Sequence, residues 1–229
     1  AASDVYKRQP PLGPTGRSGL GTTAQVHARE TRQRDKRMIR TSNAREALAG
    51  LTHDVELYIL TFGQFSLLDA VSAILEHTGP ADVTISTWTA ATADLTRAEA
   101  FLRDGNISTL RFLVDRSFLT RQPGYATQLV KAFGEDAVRT TRTHAKFAVI
   151  TNDQWAVAIR TSMNMNENPR LEHLEVGHDP SLAAFLGGIV DEIWASEPPG
   201  LAGARSLPSI TRSDDPSVTS VSGLGQVRI

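Results

Sequence analysis

Cysteine is absent from this chain of 229 residues, which excludes disulfides, thiolate metal sites and a cysteine nucleophile. No apolar run approaches the roughly 20 residues that cross a bilayer, and no apolar core of a signal peptide opens the chain. Aromatic residues make up only 6%, but hydrophobic residues reach 40%, enough for a buried core. These features predict a soluble, cytoplasmic protein without integral membrane association.

Positive charge is concentrated near the amino end. Residues 1–40 hold nine of the 24 basic and three of the 25 acidic residues, which leaves 15 basic and 22 acidic residues in 41–229. A basic arm on an acidic body is typical of proteins that contact nucleic acid or another anionic surface. A solvated arm without a partner is an equally open interpretation.

Composition divides the chain into four parts. Residues 1–21 are rich in Gly, Pro and Ser, which predicts a disordered or non-native leader. Residues 22–49 form a basic polar arm, partly helical, with 22–40 predicted as a solvent-exposed helix. Residues 197–229, again rich in Pro, Gly and Ser, are predicted to be a flexible tail. The folded domain is expected over 50–196.

Within 50–196 the apolar pattern alternates between strands and helices. Short strand-like runs cover 55–62, 82–88 and 107–114, each followed by a helical pattern. Two strands over 137–150 and 155–160 with a turn at 151–154 come next, and a final helix follows Asp179-Pro180. The order βαβαβαββα predicts an α/β fold with a mixed, mostly parallel sheet flanked by helices. Ligands in such sheets bind at the carboxyl ends of strands, here near His144 and Ser162.

Two pairs of polar residues stand out at that place. His144 and Lys146 are two residues apart on a predicted strand and share a face, and Ser162 and Asn164 do the same on the next strand. Burying the charged ammonium of a lysine on an apolar strand costs free energy unless the ammonium binds an anion. An imidazole, an ammonium and a carboxamide at one strand end can hold a phosphate and exchange a proton with it.

His144-x-Lys146 followed by a hairpin and Ser162-x-Asn164 resembles the HxK…GSxN signature of the phospholipase D superfamily, and the strand order resembles one half of that fold. The resemblance implies that His144 is the nucleophile, forming a phosphohistidine, or the acid, and that Lys146 and Asn164 hold the phosphate oxygens. It implies that Glu172 orients the histidine, with Glu175 in reserve. Ser162, Asn166 and Arg170 are expected to bind substrate, and neither a cofactor nor a metal is implied.

The sequence departs from this signature in three ways. Thr151 occupies the position of the aspartate seven residues after the histidine, and Asp153 is the nearby carboxylate that we consider as its substitute. Thr161 replaces the glycine before Ser162. The stretch from His144 to Asn164 is also three residues longer than in the signature, which predicts an extended hairpin turn.

A single copy of the motif supplies a single histidine, whereas the family mechanism uses two. The resemblance therefore implies a homodimer that shares its site, and we predict a metal-independent nuclease. The alternatives are an inactive module of the same fold that binds nucleic acid or a protein partner, and a lipid phosphodiesterase or phosphatidyltransferase. The last would need an apolar lip, for which the sequence offers no clear candidate.

Several other residues have two interpretations. Arg116 and Arg121 are candidates to line a groove, although loop arginines are usually solvated. Trp88 and Trp155 are expected to be core or sheet-edge aromatics and not base-stacking platforms. His173, His178 and Asp179 lack a known ligand spacing, so no metal site is predicted there.

Overall fold

Strands and helices alternate along most of the chain. The computed structural model describes residues 33–38, 43–88, 92–165 and 169–201. Its strands are β1 (Gln33–Met38), β2 (Val55–Thr61), β3 (Ala81–Thr87), β4 (Ile107–Asp115), β5 (Val138–Thr141), β6 (Phe147–Thr151), β7 (Ala156–Thr161) and β8 (Glu172–His178). Its helices are α1 (Ala44–Leu48), α2 (Leu67–Thr78), α3 (Thr92–Arg103), α4 (Phe118–Arg121), α5 (Pro123–Phe133) and α6 (Pro180–Ser196).

The eight strands form one sheet in the order β1-β2-β8-β7-β6-β3-β4-β5. Three neighbouring pairs are parallel, namely β1–β2, β3–β4 and β4–β5. The other four, which involve β6, β7 and β8, are antiparallel. The predicted α/β fold with a mixed sheet and flanking helices is confirmed. Six strands run in one direction, but the neighbouring pairs are not mostly parallel, because β6 and β8 run the other way.

Strand direction decides which residues meet at each end of the sheet. At one end β2, β3, β4 and β7 finish while β6 and β8 begin, as the pairings of Ser86 with Phe147 and of Thr61 with Glu172 show. We call this the site end. At the opposite end β6 finishes and β7 begins, with Thr151 paired to Ala156.

The helices cover the two faces of the sheet unequally. Helices α1 to α5 pack on one face over the larger core, which includes Leu57, Ile59, Ile74, Ile85, Phe112 and Leu129. Helix α6 lies on the other face over a smaller cluster, formed by Leu113, Phe147, Val149, Ala183, Val190 and Ile193. Helix α6 contributes Ala183, Val190 and Ile193 to this cluster, and Leu186, Ile189 and Trp194 pack against it.

Helix α2 begins with a capping box, which fixes the chain just after the end of β2. The Ser66 hydroxyl accepts a hydrogen bond from the Asp69 amide (3.2 Å), and the Asp69 carboxylate accepts one from the Ser66 amide (2.7 Å). Arg97 donates a further hydrogen bond to Asp69 at 2.6 Å. Burial acts to raise the pKa of Asp69, but the bonds from Ser66 and Arg97 outweigh it and hold the pKa below its ordinary value.

Replacing Asp69 by Asn is expected to lower the free energy of unfolding by about 1 kcal/mol at pH 7. A depressed carboxyl pKa stabilises the fold above the pKa of the unfolded chain, and this contribution is lost as the pH falls through the folded value. The difference in the free energy of unfolding between the wild type and Asp69→Asn should therefore become smaller below about pH 4. Denaturant unfolding at pH 7 and pH 2.5 measures it, with Asp104→Asn, an exposed carboxylate, as control. An equal loss at both pH values would contradict this explanation.

The amino-terminal arm differs from its prediction. Residues 33–38, expected to lie in a solvent-exposed helix, form strand β1, which pairs with β2 from Gln33–Val55 to Met38–Leu60. Strand pairing uses backbone groups, so an edge strand can form from a polar sequence when a neighbour presents an open edge. Helix α1 lies in the remainder of the arm, over Ala44–Leu48.

The strand predicted over 137–150 is two strands. β5 pairs with β4 and β6 pairs with β3, so the chain must cross the ends of β4 and β3 between them. Residues 142–146 make this crossing and lie outside both strands. The sequence also missed β8, which sits between β2 and β7 in the middle of the sheet.

The predicted tail is packed at its start. Glu197 forms an ion pair with Arg116, the Gly200 amide bonds to the Glu135 and Val138 carbonyls, and Leu201 packs on the larger core. The predicted leader, most of the arm and residues 202–229 lie outside the described residues. No helix in the described ranges is long and apolar enough to cross a membrane.

Candidate active site

The candidate residues come together at the site end of the sheet. His144 and Lys146 directly precede β6, Ser162 and Asn164 directly follow β7, and Glu172 begins β8. Because β6 and β8 run opposite to β7 between them, the starts of the two strands flank the end of the third. The Thr161 amide bonds to the Lys146 carbonyl at 3.2 Å, and the Ser162 amide to the His173 carbonyl at 3.3 Å.

The backbone around His144 is held on both sides while its side chain is exposed. Asp115, at the end of β4, accepts a hydrogen bond from the Thr143 amide at 3.1 Å. Ser86, near the end of β3, donates its hydroxyl proton to the Ala145 carbonyl at 2.8 Å. The Ala145 amide donates in turn to the Thr143 hydroxyl at 3.1 Å. The crossing segment is therefore anchored to the two strands that it passes, and it presents the imidazole outwards.

Lys146 is half-buried at the same end. Burial lowers the pKa of its ammonium, and the negative charge of Glu172 offsets only part of this effect. Its Nζ donates to the His144 carbonyl at 3.4 Å. In the described part of the chain no carboxylate forms an ion pair with it. A partly desolvated ammonium without an ion pair is suited to receive an anion.

Ser162 holds Glu172 in place. The Ser162 hydroxyl donates to the Glu172 carboxylate and accepts from the His173 amide at 3.0 Å. The carboxylate expected to orient His144 is therefore bonded to Ser162, while its charge reaches Lys146. Glu175, the reserve candidate, forms an ion pair with Arg160 at 2.5 Å, and Glu56 shares that arginine at 2.6 Å.

Asn164 has an unpartnered polar atom. Its Oδ1 is buried without a hydrogen-bond partner among the described residues, and its carbonyl accepts from the Leu67 amide at 3.3 Å. A buried amide oxygen without a partner costs about 1–3 kcal/mol. This oxygen only accepts hydrogen bonds, so it can take a donor group of a ligand, whereas the Nδ2 group of the same side chain is the one that can donate to a phosphate oxygen.

The threonine at the aspartate position lies far from this site. Thr151 ends β6 at the opposite end of the sheet, about 16 Å from Lys146 at the rise of a strand. Asn152 organises the adjacent turn, donating to the Thr78 and Pro80 carbonyls at 3.0 and 3.1 Å. A carboxylate at 151 would not reach His144, and Asp153, in the turn that follows β6, lies at that same opposite end of the sheet.

The second departure also has a structural explanation. Thr161 is buried, and its hydroxyl donates to the His173 carbonyl at 2.6 Å and accepts from the Met163 amide at 2.9 Å. The side chain that replaces glycine therefore bridges β7 to β8 and shapes the turn that carries Ser162 and Asn164.

The remaining candidates are dispersed. Arg170 is exposed at the site end, and Asn166 lies outside the described residues. Arg116 forms an ion pair with Glu197, whereas Arg121 stacks over the Trp88 ring. His178 accepts a hydrogen bond from the Ala156 amide at the opposite end. No group of three side chains suited to a metal ion occurs among the described residues.

Sequence reasoning did not identify Ser86 and Asp115, and it set Trp88 aside as structural. All three lie at the ends of β3 and β4, beneath the crossing segment. The signal that could have identified them is the rule that parallel strands collect functional groups at their carboxyl ends. Applying that rule required the strand order, in which the chain crosses from β5 to β6.

No family model matches the chain, and no curated protein matches it. Among solved structures, the chain is similar to Nuc, a phospholipase D family member from Salmonella typhimurium, at 13% identity and a TM-score of 0.42, covering 63% of this chain and 96% of Nuc. NucT from Helicobacter pylori matches at 15% identity and a TM-score of 0.44, covering 63% of this chain and 99% of NucT. Polyphosphate kinase from Porphyromonas gingivalis matches at 11% identity and a TM-score of 0.45, covering 62% of this chain and 26% of the kinase. At these TM-scores the likenesses carry no argument about activity, and the case for one rests on the geometry of the site.

Proposed function

We propose that this protein is a phospholipase D-like phosphodiesterase that cleaves nucleic acid without a metal, through a phosphohistidine at His144. The observation that carries the proposal is the convergence of His144, Lys146, Ser162, Asn164 and Glu172 at one end of the sheet. At that end His144 exposes its imidazole, Lys146 has no ion pair within the described ranges, and the buried Oδ1 of Asn164 has no hydrogen-bond partner there. Those groups supply a nucleophile, a charge and a polar contact for one phosphate.

The chemistry follows from these positions. One imidazole nitrogen of His144 attacks phosphorus, a P–N bond forms, and the bond from phosphorus to the leaving oxygen breaks as an acid protonates that oxygen. Water then attacks phosphorus, losing its proton to the group that acted as the acid, and the P–N bond breaks, which regenerates the histidine. Lys146 and Asn164 stabilise the non-bridging oxygens during both displacements. Glu172, held by Ser162, keeps negative charge near the Lys146 ammonium.

The acid in the first step is a second His144, from a second copy of the chain. We expect a homodimer with one site shared across its two-fold axis. A preparation in which subunits of the wild type and of His144→Asn exchange freely at equal amounts should therefore keep about a quarter of the activity, because each mixed dimer lacks one histidine. Assays after co-refolding measure this. Retention of half the activity would show that each chain acts alone.

The test of the proposed activity is hydrolysis of fluorescent single- and double-stranded oligonucleotides in excess EDTA. Binding is followed in parallel as the salt concentration rises, since phosphate contacts weaken steeply with salt. Deletion of residues 22–32 measures the contribution of the basic arm to binding. The deletion stops there because residues 33–38 form strand β1, which must remain in the sheet. Salt-dependent binding without cleavage would select the inactive binding module, and cleavage only with added metal would contradict the mechanism.

A lipid phosphodiester is the second candidate, because two large hydrophobic residues are exposed at the site end, where the sequence offered no clear apolar lip. Phe62 and Leu171 are the large hydrophobic residues most exposed among those described, at 58% and 57%. They adjoin Thr61 and Glu172, the last paired positions of β2 and β8 at that end of the sheet. Phosphatidylcholine vesicles in the same assay decide between the two substrates. Release of the headgroup without oligonucleotide cleavage would favour lipid.

A further inference from the structure

Trp88 lies beside the candidate nucleophile. It directly follows β3, is half-buried, and its ring centroid is 5.6 Å from that of His144 at an angle of 60°. This tilted arrangement is one of the favourable geometries for aromatic pairs. The crossing segment thus places the His144 side chain against the indole of Trp88, which follows a different strand, β3.

Trp88 is itself fixed by Arg121. The guanidinium carbon lies 3.6 Å from the centroid of the indole ring, well within the range of a cation–π contact. Arg121 also donates to the Trp88 carbonyl at 3.2 Å and to the Ser117 hydroxyl at 2.8 Å. Helix α4 therefore holds the indole by both its ring and its backbone.

His144 has no other such restraint. Neither of its imidazole nitrogens has a hydrogen-bond partner in the described ranges, and the carboxylate expected to orient it is bonded to Ser162. An exposed histidine with free rotation samples several rotamers. A nucleophile gains from being confined to the rotamer that faces phosphorus. The indole of Trp88 is the side chain in ring contact with it.

We infer that Trp88, locked beneath Arg121, is a positioning residue that sets the orientation of the His144 imidazole. The inference rests on the proposed function for its catalytic consequence, but not for its structural one. A role for Trp88 as a base-stacking platform is less favoured, because Arg121 already covers one face of the ring. That role predicts an effect on substrate binding, whereas positioning predicts an effect on the chemical step.

The test compares Trp88→Leu and Trp88→Phe with Tyr58→Leu as the matched control. Tyr58 stacks on a different histidine of the site end, His173, with ring centroids 6.2 Å apart. In carbon-13 histidine-labelled protein, the His144 resonance is assigned by its loss in His144→Asn. Trp88→Leu should move that resonance by removing the ring current of the indole. Tyr58→Leu should leave it in place and move that of His173.

In oligonucleotide assays Trp88→Leu should lower kcat about tenfold with KM within about twofold, and Trp88→Phe should restore most of the loss. An unmoved His144 resonance in Trp88→Leu would overturn the inference. A raised KM with unchanged kcat would overturn it in favour of a base-stacking platform. If the wild type cleaves nothing, the proposed function fails, while an unmoved His144 resonance would still overturn the ring contact on which the inference depends.

Discussion

Replacing His144 by Asn is expected to lower kcat for phosphodiester hydrolysis by about a thousandfold or more, as removal of a nucleophile does in other covalent mechanisms. The imidazole is exposed and contributes nothing to either core cluster. Its loss should therefore change the free energy of unfolding by no more than about 0.5 kcal/mol. Steady-state kinetics in EDTA and thermal unfolding of the same preparations measure both quantities.

His77→Asn is the control for this change. His77 is an exposed histidine near the end of α2, at the opposite end of the sheet, so its replacement should leave kcat unaltered. If His144→Asn kept more than about a tenth of the wild-type rate, water or another side chain would be the nucleophile. The covalent mechanism would then be excluded even if the protein proved to be a nuclease.

Replacing Lys146 by Met is expected to lower kcat about a hundredfold or more without lowering stability. The activity falls because the ammonium neutralises charge on the phosphate oxygens, a contribution typically worth several kcal/mol in the transition state. The stability holds because burial lowers the pKa of Lys146, so the folded state disfavours the charged form that dominates at pH 7. Removing the charge removes that cost, and methionine keeps the length of the apolar stem.

Lys131→Met is the matched control, since Lys131 is an exposed lysine on α5. Kinetics and thermal unfolding of both variants at pH 7 make the comparison. A clear fall in the unfolding temperature of Lys146→Met with activity retained would show that the ammonium has a structural role. That pair of results would remove the main support for a phosphate site.

The elements that the sequence predicted well are those determined by local pattern. β2, α2, β3, α3 and β4 each carry a continuous apolar face or run, bounded by capping or turn residues such as Ser66 and Gly79. β8 was missed because its sequence, EHLEVGH, has polar residues on both faces and only two large apolar ones. Its place in the sheet comes from pairing with β2 and β7, and β2 lies more than a hundred residues away in sequence.

The site shows the same division between local and long-range information. The spacing His144-x-Lys146 and Ser162-x-Asn164 identified residues that the fold does bring to one end of the sheet. The partners that hold them could not be read from spacing, because Ser86 bonds to Ala145 across 59 residues. The strand order also reveals that Thr151 lies outside the site, at the opposite end of the sheet.

A single-turnover trap shows whether His144 forms a covalent bond to phosphorus. The protein is mixed in EDTA with an oligonucleotide that carries a phosphorus label at the scissile linkage, quenched with alkaline denaturant at successive times, digested and analysed by mass spectrometry. We expect transient label on the peptide that contains His144, and none in His144→Asn. Product formation with no label on His144 at any time, or label on another residue, would exclude the covalent mechanism.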